Sequence, residues 1–366
     1  MDKAQVGVIG CGTISEIYLS NLTTRFTNVR VAAVADIDGA RATEKAAAHG
    51  LKSCSVEDML SDDSIEVILN LTTPLSHAEI CLAALGAGKH VYTEKPLCVS
   101  MKDAERIMTL ARKKNLRVGA APDTFLGAGL QTCLRLIDEG AIGVPVAATA
   151  FMTGHGPESW HPNPAFYYGQ GGGPVFDMGP FYFTALIALL GPAQRVSGSV
   201  SRTFSRRVVG TGPKAGQLID VEVPTHAAGT IDFACGAIVS FIQSFDVWHA
   251  NLPRIEIYGT EGSLSVPDPN TYGGPVRMRA SVDEEWIDVP VVSPEGENLS
   301  GLGLSEMVDA MATGRAHRAS GALALHALEI MHAVHDASSS ERYVTLRYPA
   351  PRPEPLVAEA QPLPTE

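Results

Sequence analysis

No stretch of this 366-residue chain approaches the roughly 20 uninterrupted apolar residues that a bilayer-spanning helix needs, so no membrane partner is expected. Basic residues are scarce. Only 28 Lys and Arg stand against 40 Asp and Glu, giving a net charge of -12 and a pI near 5.4. Duplex binding draws on clustered Lys and Arg that displace counterions, so no nucleic-acid partner is expected either. The six cysteines (Cys11, Cys54, Cys81, Cys98, Cys133 and Cys235) are scattered, with no C-x-x-C pair and no Cys/His cluster at zinc spacing. That excludes the signature of a structural metal site and leaves reduced thiols in a cytoplasmic protein as the expectation. No basic segment, long apolar run or small-residue cleavage site precedes Val6, so export is not expected, and there are no internal repeats.

What is present is a globular composition, 45% hydrophobic and 19% charged, in a chain longer than one core usually organises. The first third alternates short β-branched runs with helical stretches. Gln5 to Ile9, Val29 to Ala35, Val67 to Leu71, Val91 to Thr93 and Arg117 to Ala120 read as strands, with helices between them. Strands joined by helices predict a doubly wound parallel sheet over residues 1–122. After Pro122 the pattern changes to long extended runs rich in Thr, Val, Ser and Phe, such as Val144 to Met152, Ala193 to Phe204, Thr225 to Phe233 and Ala237 to Asp246. These predict an α+β domain over residues 123–348 with a large, mainly antiparallel sheet, one face covered by helices near Pro180 to Leu190, Ser305 to Thr313 and Ala322 to Ser338. The Pro-rich tail, residues 349–366, reads as extended or mobile.

The first strand runs into Gly10-Cys11-Gly12-Thr13-Ile14-Ser15, a G-x-G-x-x-S turn. Two glycines permit a tight turn and the close approach of a pyrophosphate to a helix N-terminus, where unpaired N–H groups attract anions; Thr13 and Ile14 lie at that contact. The required context is present: a strand before, a helix after, and Asp36 at the end of the next strand. A carboxylate there binds the adenosine ribose hydroxyls and repels a 2′-phosphate, so NAD is expected over NADP. Ile37 follows where a phosphate-binding enzyme more often has Arg, and Arg41 lies one helical turn on. Asp38 is available as the helix N-cap, which leaves Asp36 free for the cofactor.

Four stretches, Thr72-Thr73-Pro74 to His77, Gly88-Lys89-His90-Val91-Tyr92-Thr93-Glu94-Lys95-Pro96-Leu97, Gly171-Gly172-Gly173 to Asp177-x-Gly179, and Arg315 to Ala327, resemble the Gfo/Idh/MocA family of glucose-fructose oxidoreductases and inositol dehydrogenases. The resemblance covers nearly the whole chain except the tail. It implies an open-faced second sheet carrying the substrate on its inner side, and homodimers or homotetramers formed through that sheet. Thr72, Thr73, Pro74, His77, Glu94 and Lys95 then fall on the cofactor side. The lysine of E-K-P hydrogen-bonds the reacting hydroxyl, which carries over to Lys95; beside a positive nicotinamide in a partly desolvated site its ammonium form is disfavoured twice. Glu94 is expected to orient that lysine or meet the cofactor.

The chain departs from the family's D-x-G-x-H-x-x-D pattern: Asp177 is kept, but Phe181 stands at the His position and Thr184 at the second Asp. A phenyl ring moves no proton. His161, Tyr168 and His226 are therefore candidates to face the substrate with Phe181, Trp160 offers a ring face to a sugar, the neighbouring Tyr167 shares the loop, and Tyr182 reads as core. The activity implied is hydride transfer between NAD and a CH–OH carbon of a sugar, polyol or glycoside. Two alternatives stand beside it: a redox-neutral, NAD-dependent glycosidase, and a non-catalytic dinucleotide or sugar sensor.

Overall fold

The opening strand, β1 (Ala4–Ile9), is buried along nearly its whole length, as its Val-Gly-Val-Ile sequence demands of a central parallel strand. In the computed structural model, which describes residues 3–280, 285–291 and 297–356, it is followed by α1 (Ser15–Thr24), β2 (Val29–Ala35), α2 (Gly39–His49), α3 (Val56–Ser61), β3 (Val67–Asn70), α4 (His77–Gly86), β4 (His90–Thr93), α5 (Met101–Lys114) and β5 (Val118–Ala120). The five strands form one parallel sheet in the order β2-β1-β3-β4-β5. Strand order reverses between β1 and β3, and doubly wound sheets bind ligands in the crevice outside the strand ends at such a point. Local chemistry fixes the helices: Asp38 caps α2 by accepting from Ala40 N at 3.1 Å, and Gly50 ends it in the left-handed conformation.

The second half contributes α6 (Ala128–Asp138), β6 (Pro145–Thr153), α7 (Pro174–Asp177), α8 (Gly179–Leu190), β7 (Ala193–Ser201), β8 (Arg206–Val208), β9 (Leu218–Asp220), β10 (His226–Phe233), β11 (Ile238–Ser244), β12 (Ile255–Gly259), β13 (Ser263–Val266), β14 (Val276–Arg279), β15 (Ile287–Val289), α9 (Leu302–Thr313), α10 (Gly321–Ser340) and β16 (Val344–Thr345). Nine of these strands make one sheet, ordered β15-β14-β13-β12-β6-β11-β10-β7-β16. It is antiparallel except where β11 pairs with β6 in parallel. Helix α8 is apolar all round because it is enclosed on nearly every side; of its residues only Phe181 is half-buried. A Cβ on Gly198 would lie 2.9 Å from the Val334 carbonyl, so that side of β7 faces α10. The opposite face carries Arg195, Ser199, Ser240 and Thr149, exposed or half-buried, and is uncovered among the described residues.

The expected fold class holds in both halves, and several elements were not anticipated. The hairpin β8–β9 and the strands β13 to β15 are too short to show a period. Helix α9, expected from sequence over Ser305 to Thr313 as cover for the second sheet, is present but returns to the first sheet's side, with Asn28 Nδ2 donating to Ser305 O at 2.8 Å and Arg117 Nη2 to Ala310 O at 3.1 Å. Of the extended-or-mobile alternatives for the tail, the described part, up to residue 356, has no regular structure and is docked on the second domain. Arg352 Nε donates to Ala188 O at 2.9 Å, and Leu356 N to Gln131 Oε1 at 2.7 Å. Residues 357–366 lie outside the described residues.

Candidate active site

The turn after β1 is shaped for a close neighbour. Gly10 has φ +104, and a Cβ there would meet the Leu71 backbone at 2.5 Å, so only glycine fits between the ends of β1 and β3. A Cβ on Gly12 would meet nothing within 4 Å and would instead fill the cradle itself. Ser15 Oγ donates to Gly12 O at 2.7 Å and tightens the entry to α1, while the N–H groups of Gly12, Thr13 and Ile14 face no protein acceptor among the described residues. These residues fit a bound pyrophosphate. Cys11, between the glycines, is inert: burial and the Asp36 carboxylate push its thiol up to about 11.

Asp36 closes this turn from β2. Its Oδ2 accepts from Cys11 N at 2.7 Å and its Oδ1 from Asp38 N at 2.9 Å, leaving a lone-pair site on each oxygen for ribose hydroxyls. Arg41 Nη1 lies 3.6 Å from the same carboxylate. Exposed Ile14, Ile37 and Leu75 stand just past the ends of β1, β2 and β3. Leu75 was not singled out from sequence, although it directly follows the Thr72-Thr73-Pro74 turn.

His77 corrects the expectation that it meets the cofactor. The ring is fully buried, its Nδ1 2.7 Å from Pro96 O and its Nε2 3.1 Å from Thr72 O. It lies between the Thr72 turn and the Lys95 loop; burial lowers its pKa, and a neutral ring, with one N–H, donates to one of the two carbonyls at a time. Glu94 is likewise turned inward: Oε1 accepts from Tyr18 OH at 2.7 Å and Oε2 from Lys95 N at 2.9 Å. Of its two expected roles, orienting the lysine segment is the one this geometry supports.

Lys95 then crosses to the second half of the chain. Its Nζ donates to Asp177 Oδ1 at 2.8 Å and to Asp177 O at 2.8 Å, and stands 5.1 Å from the centroid of Phe181. Both Lys95 and Asp177 side chains remain one-fifth exposed, so a ligand can reach the pair. Asp177 is delivered by Gly173, whose φ of +85 and close approach to Pro224 O start α7. Phe181 shares this side with Asp177, as the helix-start spacing predicts, while Thr184 and Tyr182 are buried in the core.

A loop of aromatics borders the pair. The Tyr167 ring lies 5.3 Å from His161 and 6.4 Å from Trp160, and its carbonyl accepts from Gly173 N at 2.6 Å. Burial and the nearby Asp177 carboxylate both raise the Tyr167 pKa, so the phenol stays protonated as a donor beside Asp177. The sequence reading chose its neighbour Tyr168, and the structure corrects this. Tyr168 is fully buried and donates to Glu158. His226 is a second correction. In the β10 register Gly229 pairs with Gly198 of the α10-facing side, so His226 falls on the uncovered face, where Nδ1 meets Ser244 Oγ at 2.9 Å. The sheet separates it from Asp177, whose helix packs against the other side. Among the described residues no group of three His, Cys, Asp or Glu is arranged to hold a metal ion.

A glycine turn at a switch point, closed by a carboxylate, defines a dinucleotide-binding first half, and the Lys95–Asp177 contact joins it to the second half. The comparisons with known proteins are specific. Residues 4–121 match the oxidoreductase family with an NAD-binding Rossmann fold, and residues 130–265 match the GFO/IDH/MocA C-terminal domain. The chain belongs to the Gfo/Idh/MocA family and is an NAD-binding oxidoreductase. Inositol 2-dehydrogenase 3 of Saccharopolyspora erythraea is 30% identical over 292 residues, covering 77% of this chain and 79% of that protein. A 1,5-anhydro-D-fructose reductase of Ensifer adhaerens is 29% identical, covering 70% of this chain and 74% of its own. Among solved structures, a levoglucosan dehydrogenase bound to NADH and L-sorbose superposes with a TM-score of 0.79 at 21% identity, over 95% of this chain and 100% of that one. That last likeness bears on the fold alone. No helix among the described residues is long and apolar enough to cross a membrane.

Proposed function

We propose that this oxidoreductase moves hydride between NAD and a carbinol carbon of a sugar, polyol or glycoside, with Lys95 and Asp177 handling the hydroxyl proton. The observation that carries the reading is the contact of Lys95 Nζ, two residues past the end of β4, with Asp177 Oδ1 at 2.8 Å. Bound NAD supplies the hydride acceptor. A substrate hydroxyl entering at Nζ takes one of the ammonium's three donor positions, which fixes and polarises its oxygen. As the C–H bond breaks, the hydroxyl proton passes to the Lys95–Asp177 pair, whose carboxylate is the open acceptor. Tyr167 donates to a second hydroxyl, and Trp160 with His161 offers ring faces to the apolar side of a sugar. The substrates named for the relatives, inositol, 1,5-anhydro-D-fructose and levoglucosan, share this chemistry. We propose in addition that two or four copies associate through the uncovered sheet face, and that the protein works in the cytoplasm with its cysteines reduced.

The test is turnover of a panel of those three compounds, aldoses and aryl glycosides, followed at 340 nm by NADH, with Lys95→Ala alongside. Substrate-dependent change at 340 nm, NADH formed from the carbinol compounds with NAD or consumed with 1,5-anhydro-D-fructose, lost in Lys95→Ala with NAD affinity unchanged within about threefold, is the expected result; a near-normal kcat in that variant refutes the proton role. Glycoside cleavage without NADH release would instead identify a redox-neutral glycosidase, the reading that Phe181 in place of a proton-moving His favours. Full biological effect of Lys95→Ala would point to a sensor.

A further inference from the structure

The loop carrying Trp160, His161 and Tyr167 has no regular structure beyond two short 3-10 turns, so something outside it must hold its shape. The centre of that support is a buried arginine from another part of the chain. Arg207, on β8, is 5% exposed in its side chain and reaches four groups at once. Nη1 donates to Glu158 Oε1 at 2.9 Å and to His155 O at 3.1 Å; Nη2 donates to Phe245 O at 2.9 Å and is ion-paired with Asp246. The guanidinium lies 4.5 Å from the centre of the Phe204 ring. Glu158, held in this way, accepts from Tyr168 OH with its other oxygen, and its carbonyl accepts from Gly210 N at 2.8 Å. Tyr168 O in turn accepts from Glu222 N at 2.8 Å, and Thr225 Oγ1 donates to Asp246 Oδ2 at 2.7 Å. The hairpin β8–β9 is thereby fastened to both ends of the aromatic loop, and Lys214 Nζ adds a contact to Asn163 Oδ1 at 2.7 Å in its middle.

This cluster is poorly explained as a stability device. One cation faces two carboxylates, and Arg207 Nε is buried without a partner among the described residues. A well-packed apolar group of similar volume is often as stabilising as a buried ion pair, whereas removing one partner leaves the others uncompensated. What an apolar group does not supply is direction: the planar guanidinium aims a fixed fork of donors at the acceptors of His155, Glu158, Phe245 and Asp246. The residue between the two fastened ends that touches the start of α7 is Tyr167, through Gly173 N at 2.6 Å, and α7 ends in Asp177.

We infer that Arg207 is a positioning residue for substrate recognition: through Glu158 and Asp246 it sets the loop that presents Trp160, His161 and Tyr167 to the Lys95–Asp177 pair. The inference rests on the reading of that pair as the reaction centre, and its test separates the two. Arg207→Lys, Arg207→Met and Glu158→Gln are compared with wild type by amide hydrogen exchange, NAD titration calorimetry, and steady-state kinetics on whichever panel compound wild type turns over best. In Arg207→Met, exchange in residues 155–173 should accelerate at least tenfold while peptides of β1 to β5 and β12 to β13 keep wild-type rates and NAD affinity stays within twofold. KM should rise at least tenfold with kcat within about threefold. Arg207→Lys should recover only part of this because a point charge cannot reach all four partners; Glu158→Gln, which keeps an acceptor, should recover most of it. Wild-type exchange in 155–173 in both arginine variants overturns the inference, as does acceleration spread evenly over the whole chain or a loss confined to kcat. If wild type turns over none of the panel, the proposed function fails while the exchange measurement still decides the role of Arg207.

Discussion

Replacing the carboxylate that closes the glycine turn, in Asp36→Asn, should erase most of a strong preference for NAD over NADP. The Asp36 side chain is 7% exposed and already accepts from Cys11 N at 2.7 Å and Asp38 N at 2.9 Å, so it cannot swing away from a ligand. Around it Asp36 and Asp38 carry two negative charges and Arg41, 3.6 Å and 3.5 Å from them, one positive charge. An adenosine 2′-phosphate, bearing about 1.5 to 2 charges near neutral pH, would sit on the order of 5 Å from Asp36. At that distance two unit charges repel by about 0.8 kcal/mol in water and about 3 kcal/mol at an effective dielectric of about 20. Arg41 offsets one carboxylate, leaving one unit facing the phosphate and a penalty of at least about 1.4 kcal/mol, which is a factor of about ten in affinity. Titration calorimetry on wild type should therefore show NAD bound at least tenfold more tightly than NADP. In Asp36→Asn the residual charge is near zero and one acceptor for Cys11 N remains, so the ratio should move at least tenfold towards NADP while NAD weakens no more than about tenfold. Equal affinities in wild type, or an unchanged ratio in the variant, would show that Arg41 turns fully to the phosphate and that Asp36 does not set the preference.

Phe181→His restores the imidazole that the family pattern carries; since Phe181 is half-buried 5.1 Å from Lys95 Nζ, the new ring meets Asp177, Lys95 or water, and the melting temperature should move by no more than about 2–4 °C, equivalent to about 1 kcal/mol. A larger drop in a thermal melt would mean that the ring is packed as core. Asp123 is fully enclosed, accepting from Gly303 N at 2.8 Å and from Tyr272 OH, and burial pushes its carboxyl from 3.8 up to about 6. Because the folded value lies above the unfolded one, the folded state takes up the proton first: this group's contribution to stability is present at low pH and is lost as pH rises through about 6. Urea unfolding should therefore show wild type gaining about 1 kcal/mol relative to Asp123→Asn between about pH 7 and about pH 5. No relative gain, or one of opposite sign, would show that Asp123 is already ionised at pH 5.

The parts legible in the sequence are those whose cause is local. The G-x-G turn needs glycine at Gly10 for a clash with Leu71 that the strand–turn–helix context alone announces, and the cap at Asp38 lies within three residues of the N–H groups it satisfies. The E-K-P and D-x-G stretches each single out one catalytic candidate, Lys95 and Asp177, and the structure brings the two into contact although 82 residues separate them. His77 was misplaced for the complementary reason: it sits in the cofactor-side motif, but its ring is consumed by carbonyls at Thr72 and Pro96, a satisfaction that no local pattern records.

Tyr167 and Tyr168 show the limit most plainly. They are adjacent, have the same chemistry, and lie in a loop without a period of 2 or 3.6 to say which side faces in, so the choice between them depends wholly on what approaches the loop from elsewhere. That approach is made by Arg207, 49 residues after Glu158, whose pairing buries Glu158 and therefore demands a donor for its second oxygen. Tyr168 OH supplies it and is taken out of reach of ligand; Tyr167, with its hydroxyl uncommitted, is left beside Asp177. Which of the two tyrosines is free to meet a ligand in the proposed site is thus decided by the charge balance of a buried cluster, and a family pattern that records Asp177 and the position of Phe181 carries no trace of it.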